Sequence, residues 1–128
     1  MDASTRRFVR QRAADRCEYC RLPQSASPLA NLHVEHVIAR KHGGDDGANN
    51  LAMACSDCNL RKSSNLAGLD PDTGSLTPLF HPRRHLWDDH FEERNGLIMG
   101  KTAIGRTTVV VLQMNHEDQV EFRRSSTT

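Results

Sequence analysis

The stretch that decides the fold runs Cys17-Glu18-Tyr19-Cys20, then His33-Val34-Glu35-His36-Val37-Ile38, Gly43-Gly44-Asp45, Asn49-Asn50-Leu51 and Cys55-Ser56-Asp57-Cys58-Asn59. Two thiols spaced as CxxC can wrap one turn of chain around an ion, and two such pairs make the closed four-sulfur site that structural zinc prefers. The 34 residues between Cys20 and Cys55 exceed the gap of a small zinc ribbon, so a folded unit is expected between the knuckles. The chain has four cysteines and no fifth. Cys17, Cys20, Cys55 and Cys58 are therefore expected on one Zn²⁺, in preference to a redox CxxC or four unrelated buried thiols. Arg16, Arg21, Arg61 and Lys62 flank the pairs, where cations relieve the charge of about minus two that four thiolates leave around the ion.

Outside these pairs the sequence alternates short elements with turns. Ser4 is expected to cap a helix running to about Ala14, with Phe8, Val9 and Ala13 on one side and arginines at 6, 7, 10 and 12 around them. The Pro/Ser-rich connector Leu22 to Pro28 should lack regular structure. Leu32, Val34, Val37 and Ile38 bracket His33, Glu35 and His36 in the pattern of a half-buried strand. The segment 42–49 reads as a loop, Leu51 to Ala54 as a short apolar run, and Ser56 to Asn65 as a helix. Asp70 to Gly74 marks a turn, Leu86 to Glu92 and Leu97 to Lys101 read as strands around Arg94-Asn95-Gly96, and Ala103 to Met114 as an amphipathic helix. The tail from Arg123 is polar and expected to fray.

Composition bounds the answer. A chain of 128 residues with a hydrophobic share of 37% is one domain with a lean core that gains from a metal staple. No run of about 18 apolar residues suggests a membrane span, and no apolar segment follows the charges at the start. The chain reads as soluble, unexported and cytoplasmic, with no membrane partner. Seventeen Lys/Arg against sixteen Asp/Glu give a formal charge of +1, which excludes holding polyanions by bulk charge alone. Residues 1–62 carry ten Lys/Arg and seven Asp/Glu, while residues 63–128 carry seven and nine. That asymmetry assigns nucleic-acid contact to the first half.

Between the cysteine pairs, the Glu35-His36 dipeptide closing a strand, the Gly43-Gly44 loop, Asn50 opening a second strand and Asn59 on the following helix resemble an HNH endonuclease of the ββα-metal type. His36, Asn50 and Asn59 match the three letters, at spacings of 14 and 23 residues from His36. The resemblance covers Cys17 to Lys62. The segment from Asp70 onward, with Leu79-Phe80-His81-Pro82-Arg83, Trp87-Asp88-Asp89-His90-Phe91 and Gly105-Arg106, is similar to the C-terminal extension of a bacterial HNH subgroup. The family implies an α+β fold, with a zinc-stapled ββα core over residues 1–66 and a small strand and helix extension over residues 67–128 packed on that core in a single domain.

The chemistry of phosphodiester hydrolysis agrees with the residue types. It needs a deprotonated water, stabilisation of charge on the phosphoryl oxygens and help for the departing oxygen. A neutral imidazole suits the first task, which makes His36 the general base. A hard cation, Mg²⁺ or Mn²⁺, suits the others through oxygen ligands, here Glu35 and Asn59. Many relatives carry Asp at the Glu35 position, and the Asn at 59 in place of His favours Mg²⁺ over Zn²⁺ in the active site. Asn50 is expected to pin the loop and orient His36, and Lys62 and Arg61 to contact phosphate. His33 shares a strand face with Glu35, and orienting that carboxylate, adding a ligand and simple packing all suit it. His42 suits either a phosphate contact or solvation. His81, His85, His90, His116 and Trp87 read as surface or core. The expectation is a metal-dependent endonuclease acting on DNA, with RNA left open as a substrate. The alternative is a non-catalytic zinc-stapled nucleic-acid-binding module, and a disulfide oxidoreductase ranks third.

Overall fold

In the computed structural model, which describes residues 1–26 and 32–126, the chain opens with helix α1 (Ala3–Arg12). Its cap is Asp2 rather than Ser4. The Asp2 carboxylate accepts the Thr5 N–H at 2.8 Å and the Ser4 hydroxyl at 2.9 Å, combining a capping bond with a negative charge at the positive helix end. The connector is more ordered than its composition suggests: Pro23 bridges to Arg16, and Gln24–Ala26 form a 3₁₀ turn. The end of that connector, Ser27 and Pro28, lies outside the described residues.

Strands β1 (His33–His36) and β2 (Leu51–Ala54) pair antiparallel with Glu35 opposite Ala52 and His36 opposite Leu51. The ladder extends past the strand end through the Val37 N–H on the Asn50 carbonyl at 2.8 Å. The loop between the strands carries 3₁₀ turns at Arg40–His42 and Ala48–Asn50. Gly44 is obligatory there, because a Cβ at this position would fall on the Ile38 carbonyl oxygen. Helix α2 (Ser56–Lys62) follows β2 directly, with Cys55 as its cap. The order β1, β2, α2 is the ββα unit, and all four residues of β2 are buried beneath it.

The second half adds the hairpin β3 (Ala67–Leu69) and β4 (Leu76–Pro78), which the sequence reading missed, around the Asp70–Gly74 turn. A helical turn α3 (Trp87–His90) comes next where a strand was expected. Asp88 and Asp89 sit in its first turn, where acidic side chains favour a helix start. The strand begins only at β5 (Phe91–Arg94), which pairs with β6 (Leu97–Gly100) across the Asn95-Gly96 turn. Helix α4 (Ala103–Val111) lies against β3, β4 and β6, and α5 (Glu117–Ser126) completes the chain.

The expected fraying from Arg123 is corrected. Arg123 is 1% exposed, with Nε on the Gly96 carbonyl at 2.8 Å and an Nη2 bond to the Met114 carbonyl at 2.7 Å. Charge-assisted bonds to two carbonyls dock α5 on the β5–β6 turn.

One buried cluster unites both halves: Val9, Tyr19, Leu22, Val37 and β2 from the first, and Leu79, Phe80, Phe91, Ile98, Leu112 and Met114 from the second. Directional contacts cross the same boundary. The Trp87 indole donates to the Tyr19 carbonyl at 2.8 Å, Arg83 pairs with Glu18, and the Phe80 ring meets Tyr19 edge-on at 6.4 Å. Arg106 forks onto Asp70 at 3.1 and 2.8 Å, tying α4 to the Asp70–Gly74 turn. Asp70 is 1% exposed, and Arg106, followed by the Asp72 N–H, pulls its carboxyl down to about 2.

Candidate active site and metal centre

The knuckles meet as their spacing requires. The sulfurs of Cys17, Cys20, Cys55 and Cys58 are buried and lie within 4.8 Å of one another, the single cluster of this kind among the described residues. Tetrahedral zinc with sulfur at about 2.3 Å places its ligands roughly 3.8 Å apart, and the Cys20 and Cys55 sulfurs stand 3.7 Å apart. The Cys20 N–H points at the Cys17 sulfur, and the Cys58 N–H at the Cys55 sulfur, each at 3.5 Å. Hydrogen bonds from Cys17 and Cys20 hold Cys55 far below the ordinary thiol range, while the same contacts push Cys20 and Cys58 well above it. Four buried sulfurs cannot all ionise together without a dication among them. The cluster therefore fits structural zinc, and Cys55, as cap of α2, fastens that helix to it.

The HNH-type residues fall at the ends of the expected elements. Glu35 and His36 close β1, Asn50 immediately precedes β2, and Asn59 lies in α2. Asn50 is buried and links two chain segments: Oδ1 accepts the Ile38 N–H at 2.9 Å, and Nδ2 donates to the carbonyls of Ile38 at 2.9 Å and Asp45 at 2.8 Å. Asn59 is half-buried, and its side chain makes no hydrogen bond among the described residues.

Strand alternation sends Glu35 and His36 to opposite faces. Glu35 faces the interior at 7% exposure, where the Tyr19 hydroxyl donates to Oε1 at 2.5 Å and the Lys62 ammonium stands 3.6 Å from Oε2. Burial pushes Glu35 up to about 6 in spite of Lys62 and Tyr19. Lys62 is 2% exposed and donates to the Val37 carbonyl at 2.8 Å. The expected phosphate contact is thus corrected, because the Lys62 ammonium is enclosed between β1 and α2. Arg61 bonds the Gln113 side chain.

His36 is half-buried, and its partner is a residue the sequence reading passed over. His36 Nε2 and Asp46 Oδ1 are 2.7 Å apart, and Arg40 forks onto the same carboxylate with two 2.8 Å bonds. His36 and Arg40 hold the Asp46 carboxyl below its usual range. An ionised carboxylate only accepts hydrogen bonds, so His36 Nε2 carries a proton, and in the neutral imidazole this leaves the lone pair on Nδ1. The sequence carries no signal for this contact, because Asp46 follows Gly43-Gly44-Asp45 in a loop and nothing in its spacing points to the strand end. His33 does not reach Glu35; its Nε2 lies 3.2 Å from the Ser56 hydroxyl at the start of α2. His42 is exposed.

For a catalytic cation the oxygen set is incomplete as it stands. The Asn59 carbonyl remains to be used, whereas Glu35 is buried and its two oxygens already face Tyr19 and Lys62. No described helix is long and apolar enough to cross a membrane.

No curated protein and no solved structure shows significant similarity to the chain. The match to known families ends at residue 65, short of the segment from Asp70 onward. Residues 17–65 match the family model described as HNH endonuclease, a family of nucleases and related nucleic-acid proteins, and the likeness is confined to this segment.

Proposed function

We propose that the protein is a metal-dependent endonuclease that hydrolyses phosphodiester bonds in DNA, with residues 1–66 as its HNH core and the remainder as an extension packed on it. The observation that carries the reading is the Asp46–His36 contact at the end of β1. Asp46 fixes the Nε2 proton, so His36 takes the proton of the attacking water at Nδ1, where a neutral imidazole is basic. Arg40 keeps Asp46 ionised and so holds the imidazole in one tautomer. A divalent cation, Mg²⁺ or Mn²⁺, would neutralise charge gathering on the phosphoryl oxygens. Asn59 offers a carbonyl oxygen toward it, and Asn50 keeps the loop bearing Asp46 against the strand.

A second reading, a zinc-stapled module that binds nucleic acid without turnover, draws on the engagement of both Glu35 oxygens by Tyr19 and Lys62. Zinc-loaded protein incubated with supercoiled plasmid and Mg²⁺ or Mn²⁺ separates the two. Relaxed or linear product supports the endonuclease, and retention of duplex, single-stranded and branched DNA without cleavage supports the module.

A further inference from the structure

Away from His36 and the glycine loop, a cavity of about 300 Å³ opens between the end of α1, the first zinc knuckle and the 80–87 segment. Its wall is apolar and aromatic on the side of the second half, from Phe80, Pro82, Leu86 and Trp87, and cationic on the other, from Arg12, Arg16 and Arg21. Leu86 is 70% exposed at its rim. The Arg21 guanidinium lies 4.0 Å over the Trp87 ring and reaches the exposed Asp88 carboxylate only at 3.4 Å. The one carboxylate in the wall, Glu18, is already engaged, by Arg83 and by the Met53 N–H at 2.9 Å.

Part of this positive charge offsets the neighbouring thiolates, and Arg12 is turned to the Leu51 carbonyl at 2.7 Å, while Arg16, which donates to the Arg21 carbonyl at 3.2 Å, and Arg21 are exposed beside the apolar wall. That pairing of surfaces matches a nucleotide. Unstacked bases lie on aromatic rings or on guanidinium planes, and arginines take the adjoining phosphates. The volume sits at the low end for small-molecule sites, which suits a single base with its sugar. A base inside a duplex presents no free face, so only an unpaired nucleotide can enter.

We infer that this cavity is a subsite for one unpaired nucleotide of the bound nucleic acid, its base stacked on Arg21 over Trp87 and its phosphate held by Arg16 and Arg21. The inference rests on the nucleic-acid reading of the HNH domain and adds a preference for nucleic acid that carries a single-stranded or extrahelical position.

Trp87 is the only tryptophan, so tryptophan emission reports from the wall of this cavity. The test uses zinc-loaded His36→Ala protein and a labelled deoxyoligonucleotide, single-stranded or annealed into a blunt duplex. Label anisotropy measures binding anywhere on the protein, and Trp87 emission measures the subsite. The subsite predicts a saturable change in Trp87 emission with the single strand that is absent with the duplex. It also predicts a loss of single-strand affinity of about fivefold or more in Arg21→Ala, with zinc content unchanged and with Arg94→Ala, an exposed arginine on the β5–β6 turn, as the charge-matched control. Binding by anisotropy with an unchanged Trp87 signal, or equal losses in Arg21→Ala and Arg94→Ala, overturns the subsite and leaves the HNH reading intact. Absence of binding to both oligonucleotides overturns the subsite together with the nucleic-acid reading.

Discussion

Asp46 Oδ1 stands 2.7 Å from His36 Nε2, ten positions back along the chain, with Arg40 holding both oxygens of the same carboxylate. The contact joins a strand end to a loop and selects the imidazole tautomer. Replacing Asp46 with Ala removes the acceptor but leaves the ring in place. Outer partners that orient a catalytic histidine are worth on the order of tenfold to a hundredfold in activity, and a loss of that size in single-turnover cleavage is expected for Asp46→Ala. Nitrogen chemical shifts of His36 should move from one tautomer to a mixture. A cleavage rate and tautomer ratio equal to those of the parent protein would remove Asp46 from the site.

Lys62 and Glu35 form a buried ion pair completed by Tyr19 and the Val37 carbonyl. Removing one partner of such a pair strands the other charge in the interior, at a cost of about 3–5 kcal/mol. Lys62→Met should therefore lose stability of that order in urea unfolding at fixed zinc. If Lys62 were instead a phosphate contact, the variant would keep its stability and lose only affinity for DNA.

The cysteine cluster gathers both ends of the ββα unit. Zinc bound by small four-ligand sites contributes about 10–16 kcal/mol, comparable with the whole stability of a domain. A chelator strong enough to extract the metal should abolish the helical circular dichroism of α1 and α2, and added zinc should restore it. Retained native dichroism after metal analysis shows the zinc gone would refute this.

Asp70 is held at about 2 by Arg106, below the 3.8 of a free aspartate. A carboxyl depressed by folding stabilises the native state above its unfolded value and loses that contribution as pH falls toward the folded value. Asp70→Asn should accordingly destabilise the protein at neutral pH, by an amount that stays constant down to about pH 5 and narrows below about pH 4. Urea midpoints of the two proteins across that range test the sign, and a pH-independent difference would contradict it.

The pattern of what could be read from the sequence has physical causes. Cysteine spacing determines which ligands can share an ion, so the cluster was legible from Cys17 to Cys58. Apolar and polar alternation points to β1, residues 51–54 read only as a short apolar run, and the second strand and the ββα order come with the resemblance. Strand period alone does not say which face α2 covers, so the sequence offers Glu35 as a cation ligand and does not reveal that it points at Lys62. Lys62 lies three residues after Asn59 and so suggests a phosphate contact, and since lysine is seldom enclosed only its pairing with the buried Glu35 carboxylate reverses that expectation. Arg123 misled in the same way: its polarity suggested a loose tail, whereas the Gly96 and Met114 carbonyls it satisfies are distant in sequence. Asp46 was overlooked because a loop aspartate has no period to betray its partner.

The proposed endonuclease depends above all on activation of water by His36. It is tested most directly by the rate of supercoiled plasmid nicking in Mg²⁺ or Mn²⁺ by the zinc-loaded protein and by His36→Ala, with equal zinc content verified in both. The account predicts metal-dependent nicking by the parent protein that falls by about a hundredfold or more in His36→Ala. Nicking at the same rate in both proteins, or none in the parent protein on plasmid DNA with either metal, would contradict it.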